Sequence, residues 1–199
     1  MSIFKVSKQY RPFAYPWAAE AAKKHTIDMF WDVHQVELAD DLRQYMAKDG
    51  LTTKNFTHAQ NKDKLDKLMC VFTEMDRTVA GGYKKLLAYI DNNEISNLLL
   101  IQGAREVTHQ RGYALGPETF GVTDDKWGGF ISYKEMQDKL DIMAFDLSKP
   151  EYSKELNAMI LLAQILLGEG IGLFAAFSSL LNYKRYGLMM GYNDINQWS

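Results

Sequence analysis

Apolar residues recur along this chain at spacings of three and four, and no segment shows convincing apolar/polar alternation, so the pattern predicts helices throughout. Thr57-His-Ala-Gln60 has the form of a capping box, in which the Thr and Gln side chains satisfy backbone N–H groups at a helix start. A helix from there to about Ile90 carries Leu65, Leu68, Met69, Phe72, Met75 and Val79 on one side, with Asp76 on or beside that face. Asn92-Asn93 predicts a turn, and a helix from near Glu94 carries Leu98, Ile101, Arg105, Glu106, His109 and Tyr113. Pro16 predicts the first turn of a helix through about His25, with Phe30 and Trp31 beyond it. Ser132-Tyr-Lys-Glu135 predicts a second capping box, opening a helix to about Leu147. The stretch from Gly121 to Ile131 reads as a loop or short extended piece. The prolines at 12, 16, 117 and 150 each fall near an expected helix boundary.

The segment from Ala158 to Leu181 is almost continuously apolar and could be taken for a membrane span. Gln164 and Glu169 interrupt it, glycines stand at 168, 170 and 172, and a charge at a bilayer centre costs about 3 kcal/mol on the insertion scale. The expectation is therefore a helix buried all round within the protein, ending near Gly187, with no membrane involved. Such a helix must give Glu169 a partner, because an unpaired buried carboxylate is neutralised or not tolerated, and a bound cation is the most economical one. Tyr192 to Ser199 look like the first turns of a further helix, cut off before it can bury its face; a bundle lacking a helix exposes an apolar groove.

At 199 residues, with 47% apolar and 24% charged positions, the chain fits a single soluble domain spanning its length. A net charge of -2 with scattered basic residues gives no electrostatic footprint for nucleic acid. The single cysteine, Cys70, excludes an intramolecular disulfide, fits a reducing cytoplasmic compartment, and reads as a small buried apolar residue. Lys5, Lys8 and Arg11 are not followed by an apolar core of signal-peptide length.

The chemistry starts from one Glu-x-x-His, Glu106-Val-Thr-His109, with Tyr113 four residues on. Residues three and four apart share a helix face, so a carboxylate, an imidazole and a phenol converge. Alone, the pair reads equally well as a surface pair, and Asp76 as a solvated helix aspartate. Glu169 is the strongest single residue, by the burial argument. Together, Asp76, Glu106, His109 and Glu169 lie on three long helices and form part of the set used by ferritin-like dinuclear centres, which take a Glu from each of two helices and a Glu-x-x-His from each of two others. Oxygen ligands with imidazole suit Fe(II) or Mn(II). Against two divalent ions, three carboxylates leave one charge unbalanced and one nitrogen ligand unfilled. Tyr113 reads as a core tyrosine or as a redox-active phenol beside the metal; Leu173 and Phe177 read as core packing that also shields it.

Tyr15-Pro-Trp-Ala-Ala-Glu20, Phe30-Trp31 before an acidic segment, Phe72-Thr-Glu-Met-Asp76, Ala104-Arg-Glu-Val-Thr-His-Gln-Arg-Gly-Tyr113 and Leu167-Gly-Glu169-Gly-Ile follow one another in a specific order and spacing. Through them, essentially the whole chain resembles the small, radical-generating subunit of class I ribonucleotide reductase. The resemblance implies an all-α, ferritin-like bundle holding two iron ions, with manganese as an alternative, activated by O2. It implies Asp76, Glu106, His109 and Glu169 as metal ligands and Tyr113 as the radical tyrosine. Trp31 resembles the tryptophan that begins the electron-transfer route to the surface, coupled through His109. The implied partners are the large subunit and, for the assembled small subunit, a second copy.

The family's next helix carries Arg-Asp-Glu-x-x-His, which supplies the remaining Glu and His ligands and the Asp that links the tryptophan to the ligand histidine. This sequence stops where that motif should start, and the docking tail with its relay tyrosine is absent too. The expectation is an incomplete bundle: the N-terminal portion of a small subunit split in two, as a phage gene could be, completed by a C-terminal companion chain bearing the second Glu-x-x-His. An artificially shortened chain is the other explanation. The competing readings are a ferritin-like di-iron oxidase or iron-handling protein, and a non-catalytic fragment acting as a binding module.

Overall fold

Thr57 and Gln60 make the reciprocal bonds of the capping box: Gln60 N donates to Thr57 Oγ1 at 3.3 Å and Thr57 N donates to Gln60 Oε1 at 2.9 Å. In the computed structural model, which describes residues 2–6, 14–144 and 147–198, they open α3, His58–Leu87. Before it come α1 (Pro16–Lys23), which continues as a π turn to Asp28, a 3₁₀ turn at Val33–Gln35, and α2 (Ala39–Met46). Pro12 lies outside the described residues. The Asn92 side chain accepts from the N–H groups of Glu94 and Ile95 and starts α4, Asn93–Phe120, which makes the most extensive helix pairing in the molecule with α3. Among the described residues the fold is wholly helical, in the ferritin-like manner expected.

Several boundaries differ from the sequence expectation, each for a physical reason. Pro117 does not end α4 but lies in its last turn, before Gly121 takes the left-handed conformation. A proline there leaves the carbonyl of Tyr113 without its helical N–H, and the Tyr192 hydroxyl donates to that carbonyl at 3.2 Å instead. The stretch after Gly121 is not a loop: it contains α5, Asp124–Ile131, whose two N-terminal aspartates suit the helix dipole and offset its two glycines. Ser132 does not cap the next helix; its hydroxyl donates to Gly129 O at 2.9 Å, and α6 runs Lys134–Ala144. Leu147 is not helical, and residues 145–146 lie outside the described set.

The long apolar run also departs from expectation. It is α7 (Lys154–Leu167), a π turn (Gly168–Gly172) and α8 (Phe174–Lys184), a length and composition that could cross a membrane. It is not buried all round. Ala158, Leu161, Ile165, Leu173, Ala176 and Leu180 pack inward, but Met159, Leu162, Leu166 and Phe174 line an exposed apolar stripe, with Met159 66% and Phe174 68% accessible. The final helix, α9 (Met190–Trp198), is the converse. It was expected to be too short to bury a face, yet Tyr192, Asn193 and Ile195 are fully enclosed. Asp41 on α2 accepts from Tyr192 N at 2.7 Å and fixes its start.

The core has two parts that meet along α3. One contains Phe72, Met75, Tyr113, Leu180, Tyr192 and Ile195; the other contains Val79, Leu86, Leu98, Leu161 and Ile165. Asp76 stands on α3 between Met75 and Val79, at the junction. Cys70 is buried as expected, and burial, with Asp66 and Glu74 adding, pushes its thiol up to about 11. Native protein at pH 8 should therefore react negligibly with a disulfide reagent and fully once denatured; fast reaction of the folded protein would contradict this packing.

Candidate metal centre

Asp76 comes from α3 and Glu106 and His109 from one face of α4, so two paired helices supply three potential ligands. Their ligand atoms lie within 4.8 Å of one another, and His109 Nδ1 is 3.3 Å from Glu106 Oε2. Asp76 Oδ2 and His109 Nε2 are buried without a hydrogen-bond partner among the described residues. Burial, reinforced by Glu106 and Glu169, holds the Asp76 carboxyl well above the usual carboxylate range. Acid groups and an imidazole gathered this way could hold a metal ion, and their oxygen and nitrogen donors fit Fe(II) or Mn(II).

Glu169 lies at the second position of the π turn, where three glycines in five residues weaken regular α-helical geometry. It lines a cavity of about 360 Å³ together with Asp76, Glu106, His109 and Tyr113, yet falls outside the tight three-residue group. Its Oε1 accepts from the Tyr83 hydroxyl at 2.9 Å. Burial and then Glu106 raise its pKa, and the Tyr83 bond and His109 partly counter them.

Tyr113, one helical turn beyond His109, is fully buried. Phe72 stacks on it at 4.7 Å and Phe177 stacks on Phe72 at 5.3 Å, while Leu173 and Phe177 line the same cavity. The expected apolar enclosure around the phenol is thus present. Trp31 is buried with its ring nearly parallel to that of His109, 9° between planes and 6.1 Å between centroids. Its Nε1 donates to Trp198 O at 3.0 Å, and Arg105 Nη2 donates to the same carbonyl at 3.1 Å.

The family model of the ribonucleotide reductase small chain matches residues 7–199. The chain belongs to that family. It is 27% identical over 205 residues to the "Probable ribonucleoside-diphosphate reductase small subunit 048L" of Invertebrate iridescent virus 3, covering 96% of this chain and 52% of the viral one. It is 28% identical over 212 residues to the corresponding protein 376L of Invertebrate iridescent virus 6, covering 100% of this chain and 56% of that one. The ribonucleotide reductase R2 subunit from Clostridium botulinum has a similar fold, with a TM-score of 0.75 at 20% identity, over 92% of this chain and 56% of that subunit. This small chain spans about half the length of the curated relatives it matches.

All the residues singled out in the sequence therefore meet in one place: Asp76, Glu106 and His109 tightly, Glu169, Tyr113, Leu173 and Phe177 around the same cavity, and Trp31 against His109. Sequence reasoning gave no role to Tyr83, although it stands two helical turns after Asp76 on the same face of α3. It also missed Tyr192 and Trp198, which reach the site only through tertiary docking of α9.

One glycine makes the Trp31 seat possible. A Cβ at Gly112 would lie 2.6 Å from Trp31 Cη2 and 3.1 Å from Ile195 Cγ2. In this small chain Gly112→Ala should therefore destabilise the fold, the overpacking cost of about 1–3 kcal/mol exceeding the roughly 1 kcal/mol gained in helix propensity. Urea unfolding followed by tryptophan fluorescence measures it; an unchanged or higher midpoint would show that Trp31 is not seated there.

Proposed function

We propose that this small chain contributes Asp76, Glu106, His109 and Glu169 to a dinuclear metal centre and holds an oxidising equivalent on Tyr113 for ribonucleotide reduction by a large subunit. The observation that carries the reading is the convergence of three ligand types with two unpartnered buried atoms, one helical turn from an enclosed phenol. Two iron ions, or a pair including manganese, would draw the oxidising equivalent from O2 when bound. The chain's own residues do the rest. Tyr113 gives up one electron and its phenolic proton and persists as a radical because Phe72, Leu173 and Phe177 keep water and reductants from it. Trp31, stacked on His109, is the entry point for electrons from the surface side.

A helix bearing a second Glu-x-x-His, outside the described residues, completes the set. Two observations support it. The exposed stripe of α7 and α8 borders the metal cavity, since Leu166 belongs to both and the exposed Gly170 of the intervening π turn also lines the cavity. An apolar helix face left open beside a half-filled ligand set is what a missing bundle helix leaves behind. Arg105 Nη1 and His109 Nε2 are likewise buried and without partners among the described residues, and an incoming carboxylate would satisfy them. The assembled unit works with the large subunit and pairs with a second copy, as the family resemblance implies.

The test is electron paramagnetic resonance on the assembled small subunit after anaerobic loading with ferrous iron and exposure to O2. An organic radical whose hyperfine pattern changes when the protein is grown on deuterated tyrosine is the expected result. A fully loaded centre that yields no tyrosine-derived signal would overturn the radical role.

A further inference from the structure

Glu169 differs from the other three potential ligands in being tied, through one oxygen, to a residue outside the set. Tyr83 is buried, and its hydroxyl donates to Glu169 Oε1 at 2.9 Å across the gap between α3 and the π turn. Its ring is packed in the core. It belongs to the apolar cluster around Val79, Leu161 and Ile165, and α4 passes close to its Cβ, where a Cβ added at Gly103 would lie 3.9 Å away. The carboxylate it grips is by contrast loosely mounted. Glu169 sits between Gly168 and Gly170 in a π turn, and nothing approaches a Cβ built at Gly170 within 4 Å. A firmly packed donor is thus paired with an acceptor on yielding backbone, and Glu169 stays outside the 4.8 Å group.

We propose that Tyr83 is a positioning residue for Glu169: its hydroxyl holds one carboxylate oxygen, so that only the other is presented to a metal ion in the Asp76–Glu106–His109 group. The proposal rests on the metal-centre reading. Physically, a donor outside the ligand set fixes the orientation of a ligand that its own backbone leaves free, and prevents Glu169 from chelating one ion with both oxygens. Gripping the carboxylate also lowers the cost of ordering it when a metal arrives.

The experiment is Mn(II) titration of the assembled, metal-stripped small subunit, read by loss of the free Mn(II) paramagnetic resonance signal. It is made on the parent, Tyr83→Phe, Glu169→Ala and the double variant. Tyr83→Phe keeps the ring and its packing, and an unchanged thermal midpoint verifies the fold; Tyr83→Met replaces it should Tyr83→Phe not accumulate. Tyr83→Phe should weaken Mn(II) binding by about 10-fold, the lower end for residues that orient a ligand. Glu169→Ala should weaken it further, and adding Tyr83→Phe to Glu169→Ala should change nothing more. Parent-like affinity in Tyr83→Phe, alongside a clear loss in Glu169→Ala, would overturn the proposal. So would an equal loss from Tyr83→Phe with and without Glu169, which would mark a packing effect. If Glu169→Ala binds as tightly as the parent, the metal-centre reading fails at Glu169 instead.

Discussion

Tyr113→Phe will abolish the tyrosine radical of the loaded small subunit while leaving its metal content at the parent level. The effect is all-or-none because a phenol, not a phenyl ring, can give up an electron and a proton together, whereas the potential ligands are Asp76, Glu106, His109 and Glu169. Phenylalanine keeps the ring that stacks on Phe72 at 4.7 Å and meets Tyr192 edge-on at 6.2 Å. The fold should change by no more than the loss of one buried hydroxyl, about 1 kcal/mol. Paramagnetic resonance and metal analysis on the same sample separate the two quantities. A radical of undiminished intensity in the variant would move the role to another residue, and loss of both signal and metal would make Tyr113 part of the binding site.

Asp76→Asn should act in opposite directions on the site and on the metal-free fold. Burial, then Glu106 and Glu169, raise the Asp76 carboxyl well above its ordinary value, and Glu169 is raised in the same direction by burial and Glu106. A carboxyl whose folded pKa is raised binds its proton more tightly in the native than in the unfolded state. The metal-free protein therefore gains stability as pH falls from the raised values towards the ordinary carboxylate range, and loses it as pH rises back through them. Asparagine cannot ionise, so the variant should be more stable than the parent at neutral pH in chelator, with a flatter dependence on pH. Mn(II) affinity should fall by about 100-fold or more, exceeding the loss typical of a residue that only orients a ligand. Such an exchange of stability for function is usual where like charges are held together for a ligand. Urea midpoints at two pH values, with a metal titration, measure both halves. A metal-free variant less stable than the parent would mean that the Asp76 carboxylate is compensated by the protein alone.

What the sequence made legible was local. The Thr57–Gln60 box, the Asn92 cap and the shared face of Glu106, His109 and Tyr113 depend on contacts within four residues, which periodicity encodes directly. Glu169 could be found because a lone carboxylate in a long apolar run demands a partner. The rest depends on surfaces meeting. The burial of α9 requires the space left by Gly112 and Gly116, where a Cβ would stand 2.4 Å from the Tyr192 ring. Pro117 could remain inside α4 because the Tyr192 hydroxyl takes up the Tyr113 carbonyl that it strands, across a separation of 79 positions. The same blindness hid the open face of α7 and α8. An unbroken run such as Leu161-Leu162-Ala163 carries no mark of which side is covered, and only the packed chain shows Leu161 inside and Leu162 outside.

Asp76, Glu106, His109 and Glu169 are proposed to form part of a metal centre completed by a second Glu-x-x-His. This is tested most directly by native mass spectrometry, with metal analysis, of the protein isolated from its own cells. The expected result is two metal ions per site in a protein that also carries the second Glu-x-x-His, on the same polypeptide or on an associated one. Metal-free protein in which no second Glu-x-x-His is present would contradict it.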